Sequence, residues 1–351
     1  MMQGGLMDPI ALLRRMVEIP SLSGAESPLA GFLVEAMTGL GFRAGIDEAG
    51  NAVGSLGDGP AVIVLLGHMD TVPGEIPVRI EGEKLFGRGS VDAKGALAAF
   101  IAAAARVGPL PGKRIVVIGA TEEEAASSRG AHHAASVYRP ACCVIGEPSG
   151  SHALTLGYRG RLVCAYEASA GSTHSASAGE NVLESAVAFW NGVKAWTERV
   201  NGDKSRMFDR LDPALREIRS DSDGLTDSIR LKLSLRIPPG MEPEAVEREV
   251  ASLAGAAGRL RCWGADPPYR AEKNSPLVRA FLRAIREAGG SPRFTVKSGT
   301  SDMNVVGPRW RCPILAYGPG DSALDHTPHE HLDLAEYRAA IDILARALRL
   351  L

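Results

Sequence analysis

Ala61-Val62-Ile63-Val64-Leu65-Leu66-Gly67-His68-Met69-Asp70 is an unbroken apolar run that passes through a glycine into a histidine and an aspartate. Six consecutive small and aliphatic residues without polar alternation predict a strand covered on both faces, as in a parallel sheet. Three more runs repeat the pattern. Arg114 to Ala120 leads into Thr121-Glu122-Glu123-Glu124, Ala141 to Ile145 into Gly146-Glu147-Pro148, and Pro313 to Tyr317 into a loop with His326. Each predicts a buried parallel strand with a metal-capable residue at its carboxyl end. In open α/β sheets the loops leaving that edge splay apart and form the ligand-binding crevice. Asp92 is a fifth candidate, placed just before an Ala-rich helix predicted from Ala93 to Val107.

Working outward, Asp8-Pro9 reads as a helix cap followed by proline in the first turn, and Pro28 to Leu40 as a second helix stopped by Gly41. Strands and helices alternate as far as Glu147, which predicts an α/β layer with a largely parallel sheet. The texture then changes. From about Gly160 to Asp266 the chain reads as strand (161–168), helix (181–199), a polar stretch, strand (228–237), helix (243–253) and strand (259–263). With one strand hidden in the polar stretch, this is the split βαβ order of a ferredoxin-like α+β domain. Helices at 276–288 and 334–350 and the Ile314 strand resume the first domain. His326 must rejoin His68 and Glu147 if they share a site, so residues 160–266 are an expected insertion between 1–159 and 267–351.

The 351 residues are 45% hydrophobic and 23% charged, the ordinary make-up of a globular protein. Lys and Arg number 39 against 41 Asp and Glu, so no global field points to nucleic acid or to an anionic membrane. The longest aliphatic stretch, Val62 to Leu66, is far short of the roughly 20 residues of a membrane span. Met1 to Asp8 lacks the basic and apolar pattern of a secretory signal. Five cysteines, odd in number and without CxxC spacing, argue against a disulfide framework and against a thiolate zinc site. A cytoplasmic location is expected.

Two histidines with several carboxylates suit one or two divalent metals. Asp92 can present both carboxylate oxygens as a bridge. His68 and Glu147 then complete one ion, and His326 with one member of the Glu122 to Glu124 triplet completes the other. Adjacent glutamates at a strand end point to opposite sides, so one can bind metal while its neighbour acts as base. Asp70, two residues after His68, is positioned to accept the ring N–H facing away from the metal and so fix the tautomer. His132, His133, His152, His329 and His331 carry no partner pattern and are expected to be uncommitted.

In order, Gly67 to Pro73, Gly87 to Gly95, the Glu run after Thr121, Gly146-Glu147-Pro148 and His326 to Glu330 resemble the ligand motifs of the M20 metallopeptidases and deacylases. The resemblance implies a zinc-peptidase-like catalytic domain with an inserted lid and dimerisation domain. It implies two divalent ions, zinc or cobalt, with His68, Asp92 and Glu147 on one and Asp92, Glu124 and His326 on the other, and a cis peptide at Asp92-Ala93. Asp70 is then the residue behind His68 and Glu123 the base. The loop to Gly130 is one residue longer than the family pattern, which also admits Glu122 as base with Glu123 as ligand. In the inserted domain, Gly171 to Ala176 resembles the family's lid segment, with His174 steadying the oxyanion, often from the partner subunit. Asn181 and Arg236 resemble substrate-binding positions, the planar fork of Arg236 suiting a carboxylate.

Within the family, the segments 67–78, 157–161 and 298–304 look closest to the lysine-biosynthesis members, which free lysine or ornithine from an amino-group carrier protein. What this implies is hydrolysis of the amide between the lysine α-amino group and the γ-carboxyl of the carrier's C-terminal glutamate, by a homodimer, in lysine or arginine biosynthesis. A small acidic carrier is the expected partner, with no nucleic acid or membrane. Two other functions fit the residues less well: a deacylase of small N-acyl amino acids, such as acetylornithine or succinyl-diaminopimelate, and a non-catalytic binding protein that keeps the fold.

Overall fold

The computed structural model describes residues 8–172, 174, 181–255 and 258–351. The chain divides into two compact units, the first formed by Met1–Gly157, Ala271–Val296 and Ser301–Leu351, the second by Tyr158–Arg270 and Lys297–Thr300.

The first unit opens with α1 (Pro9–Glu18) and α2 (Ser27–Gly39), then β1 (Arg43–Ile46), β2 (Ala52–Leu56) and β3 (Ala61–His68). The short strands β4 (Arg79–Glu81) and β5 (Lys84–Phe86) precede α3 (Lys94–Val107), β6 (Lys113–Ala120), α4 (Arg129–Val137), β7 (Cys142–Gly146) and β8 (Ala153–Tyr158). The second unit follows as β9 (Gly160–Gly171), α5 (Val182–Asn201), β10 (Asp212–Ser222), β11 (Thr226–Ile237), α6 (Pro243–Ala254), β12 (Arg259–Asp266) and β13 (Tyr269–Arg270). The chain then returns through α7 (Pro276–Glu287), β14 (Arg293–Lys297), α8 (Asp302–Trp310), β15 (Ile314–Ala316), β16 (His331–Asp333) and α9 (Leu334–Leu350).

The main sheet runs β1-β2-β6-β3-β7-β15-β8. Its centre is parallel: β3 pairs β6 and β7, and β7 pairs β15, all four being the aliphatic runs of the sequence. The flanks are antiparallel, through β1–β2, β2–β6 and β15–β8. The sheet is therefore mixed, and the difference from a largely parallel layer arises where the signal is thin. Exposed β1 and the small residues Ala52 and Gly54 of β2 offer no long apolar run.

Helix α3 lies on the parallel strands, with Ala96, Leu97, Phe100, Ile101 and Ala104 fully buried. Burying a Leu or Phe side chain contributes roughly 1.5–3 kcal/mol, so this face anchors the helix firmly. Its approach is close because glycines face it. Gly119, Gly67 and Gly146 are register neighbours across β6, β3 and β7. A Cβ on Gly67 would stand 3.3 Å from Leu97 Cβ, and one on Gly146 would stand 3.0 Å from the Phe100 ring. The N-terminus of α3, and with it Asp92, is thus carried to the strand ends.

The second unit is a four-stranded antiparallel sheet of order β10-β11-β9-β12. Phe189 and Val193 of α5 and Val246 and Val250 of α6 share one core with Leu162, Tyr166, Leu231, Leu233 and Leu235. Tyr166 stacks on Phe189 at a centroid distance of 4.5 Å. The strand expected within the polar stretch is β10, largely exposed, which is why composition concealed it. Cys164 and Cys262 are register partners on β9 and β12, and the five cysteines are free thiols.

Candidate metal centre

His68 ends β3, buried, with Nε2 3.3 Å from Asp92 Oδ1. The other oxygen of the same carboxylate, Oδ2, is 3.1 Å from His326 Nε2, and Glu124 Oε1 is 2.8 Å from that nitrogen. Glu123 Oε2 reaches within 4.0 Å of His68 Nε2. The potential ligand atoms fall into two groups, His68, Glu123 and Glu147, and Asp92, Glu124 and His326, each within 4.8 Å internally. Asp92 stands between the two histidines with one oxygen toward each, and the Asp92-Ala93 peptide is cis, as the resemblance implies.

The loop after β6 is shaped residue by residue. Thr121 N–H donates to Asn51 Oδ1, and Glu122 adopts a positive φ of 57° that turns the chain sharply. Three carboxylate oxygens then receive the next three amides: Glu122 N–H donates to Glu26 Oε1, Glu123 N–H to Asp70 Oδ1 and Glu124 N–H to Asp70 Oδ2. Glu123 and Glu124 are thereby sent to different histidines. The Glu122 carboxylate instead accepts from Ser127 Oγ at 2.5 Å and lies beside Arg129, away from both groups.

Asp70 is more of a scaffold than its spacing foretold. His68 Nδ1 is 3.0 Å from the Asp70 backbone carbonyl and 3.5 Å from the carboxylate, so the carbonyl is the nearer acceptor. The carboxylate is engaged chiefly by the two glutamate amides and by Ser23 Oγ at 2.7 Å. Both oxygens orient the ligand loop while the residue also holds the histidine ring.

The crowding of acids shifts their protonation. Burial, then the neighbouring Glu147, Glu124 and Asp302 charges, raise the Glu123 carboxyl well above its usual range against the pull of His68. Burial and Asp92 likewise raise Glu124, opposed by His326. Burial works against ionisation of Asp92, but the His326 and His68 imidazoles on its two oxygens prevail and hold it below the ordinary carboxylate range. Hydrogen bonds to Asp92 and Glu124 push His326 up to about 10. Excess negative charge in a desolvated pocket is the condition that divalent cations relieve. Buried His68 turns Nε2 into this acid cluster, 3.3 Å from Asp92 Oδ1 and 4.0 Å from Glu123 Oε2. The cluster of two imidazoles and four carboxylates therefore fits a pair of divalent cations.

Of the other expected positions, His174 is exposed, and Thr173, Ser175 and Ala176 of the same motif lie outside the described residues. Asn181 caps α5, its Oδ1 accepting from Leu183 and Glu184 N–H, so that oxygen is committed to the helix. Arg236 donates to Thr300 Oγ1 at 3.2 Å. His331 packs on Phe86, and His133 lies beside Asp47. The structure also brings in Glu26 and Ser23, which spacing left unremarked, and sets buried Asp302 of segment 298–304 among the charges that act on Glu123. Glu26 precedes a proline-containing first turn and reads in sequence as a helix start, and nothing local marks it as the acceptor for an amide 96 positions away.

The geometry agrees with the comparisons. A profile of peptidase family M20/M25/M40 matches residues 64–350, spanning every residue of both groups. A protein of Deinococcus radiodurans named LysW-lysine hydrolase is 48% identical over 344 residues, which cover 96% of this chain and 95% of the relative. An M20 family metallo-carboxypeptidase of Sulfolobus solfataricus superposes with a TM-score of 0.80 at 19% identity, over 98% of this chain and 99% of the other. A dinuclear metal-binding M20 peptidase from Bacillus subtilis does so with a TM-score of 0.68 at 11% identity, over 97% and 96% of the two chains. With two histidine and carboxylate groups at its strand ends, an inserted α+β unit and a family match over residues 64–350, the chain belongs to peptidase family M20/M25/M40.

Proposed function

We propose that this protein is a dinuclear metal-dependent amide hydrolase that releases lysine from the C-terminal glutamate of an amino-group carrier protein, the LysW of its relative's name. The observation that carries the reading is the Asp92 carboxylate set between His68 and His326, in a chain 48% identical to a LysW-lysine hydrolase over almost its whole length. His68, Asp92 and Glu147 would hold one ion and Asp92, Glu124 and His326 the other, zinc being the ion we infer. Bound there, the cations supply the charge that polarises an amide carbonyl and makes a water acidic enough to attack it.

The chain's own residues do the rest. Glu123 takes the proton of the attacking water and passes it to the departing α-amino group, a task for a carboxylate whose proton affinity is raised by burial among acids. Asp70 keeps the glutamate pair divided by holding their amides, and it keeps the His68 ring in one orientation. On the motif resemblance, we assign to His174 the donor that steadies the oxyanion and to Arg236 the anchor for a substrate carboxylate. A homodimer is part of the same reading.

The test offers metal-loaded protein three substrates, carrier-linked lysine, carrier-linked ornithine and N-acetylornithine, with free amino acid measured by mass spectrometry. Release of lysine from the carrier is the expected result, with ornithine as a second product. Efficient turnover of N-acetylornithine alone would replace the carrier by small N-acyl amino acids.

A further inference from the structure

Glu330 is fully buried four residues after His326, and its carboxylate has no place in either ligand group. Its contacts run to the opposite ligand loop. Oε1 accepts the consecutive amides of Val91 at 3.0 Å and Asp92 at 3.1 Å, while Oε2 accepts Arg88 Nη1 at 2.6 Å. The same Arg88 nitrogen donates to the carbonyl of Thr327, the residue after His326, and Arg88 Nε donates to the carbonyl of Gly74. Gly87 N–H returns the link to the Glu330 carbonyl. One ion pair, its carboxylate fully buried and its guanidinium partly so, thus ties the backbone of Asp92 to the backbone beside His326.

Two amides can converge on a single oxygen only where the chain turns, and residues 88–93 are a continuous turn into α3. A carboxylate is the right acceptor for such a pair because charge-assisted bonds to N–H are short and strong. Arg88 is the right counter-ion, since an unpaired buried carboxylate is costly and would add negative charge next to the Asp92 backbone. Neutralised in this way, Glu330 contributes direction without repelling ligands.

We propose that Glu330, paired with Arg88, is a positioning residue that fixes Asp92 relative to His326 and so sets the affinity for the cation these two share. This rests on the reading of Asp92, Glu124 and His326 as ligands. Groups that orient metal ligands in this way typically alter metal affinity by about 10–100-fold when removed.

The experiment titrates metal-free full-length protein with Co²⁺, followed by visible absorption and by metal content after gel filtration, with thermal unfolding of the metal-free forms alongside. Wild type is expected to bind two ions. Glu330→Ala should weaken the ion shared by Asp92 and His326 by about 10–100-fold, and the other, reached only through Asp92, by clearly less. Glu330→Gln turns an amide NH₂ toward Arg88 or toward the two backbone amides and should lose affinity as well. The double variant Arg88→Met with Glu330→Gln removes that clash, keeps a carbonyl for Val91 and Asp92, and should recover most of the loss. If Glu330→Ala does not fold, the single and double Gln variants carry the comparison. Two equally tight ions in every Glu330 variant, or equal weakening of both ions in step with lowered thermal stability, would overturn the positioning role. Fewer than two ions in wild type would instead overturn the reading of the site beneath it.

Discussion

Glu122, Glu123 and Glu124 have the same side chain and three different surroundings. Glu122 faces Ser127 and Arg129, Glu123 faces His68 and Glu147, and Glu124 faces His326 and Asp92. Three substitutions therefore separate the roles. Glu123→Gln should lower kcat by about 10²–10⁴-fold with both ions still bound, as loss of a general base does. Glu124→Ala should reduce bound metal to about one ion per chain, read by metal analysis, and Glu122→Ala should leave metal content and kcat near wild type. His326 gives a pH signature. Its folded value of about 10 lies above its ordinary 6.5, so in the metal-free protein its stabilising pairing with Asp92 and Glu124 is fully present below 6.5 and is lost as pH rises toward 10. The stability difference between metal-free wild type and His326→Gln, from denaturant midpoints, should shrink between those two pH values. Metal affinity should run the other way and rise with pH, because a cation needs the unprotonated ring.

Sequence made the elements that carry ligands readable and the elements that support them much less so. The four central strands announce themselves as aliphatic runs because both their faces are covered, and His68, the Glu triplet, Glu147 and His326 follow them in the chain. Spacing could not tell which glutamate goes where, since that depends on the positive φ at Glu122 and on amides captured by Glu26 and Asp70 from other elements. Nor did it reveal β1 and β2, whose exposure and small residues erase periodicity, or the glycine row under α3, visible only once strands are in register. That row is testable. A methyl on Gly146 would meet Gly67 Cα and the Phe100 ring, both at 3.0 Å, so Gly146→Ala should destabilise the protein by about 1–3 kcal/mol, read from denaturant unfolding. It should also weaken metal binding, because α3 carries Asp92. Gly31→Ala within α2, where nothing lies within 4 Å, should instead stabilise by about 0.5–1 kcal/mol.

At the scale of the whole molecule, one unit holds both ligand groups and the other holds His174, Asn181 and Arg236. The split βαβ order of the second unit was legible from its alternation, and Asn181, expected to meet substrate, also caps α5 through its Oδ1, a role that asparagine favours at a loop-to-helix boundary. Among the described residues no helix is long and apolar enough to cross a membrane. A two-cation centre and cleavage of one amide are reached by a single assay: release of free lysine from carrier-linked lysine by the protein as purified, after metal removal by chelation, and after restoration with Zn²⁺ or Co²⁺. Release should stop on chelation and return with about two ions per chain. Lysine release unaffected by chelation, or none from a protein carrying both ions, would contradict it.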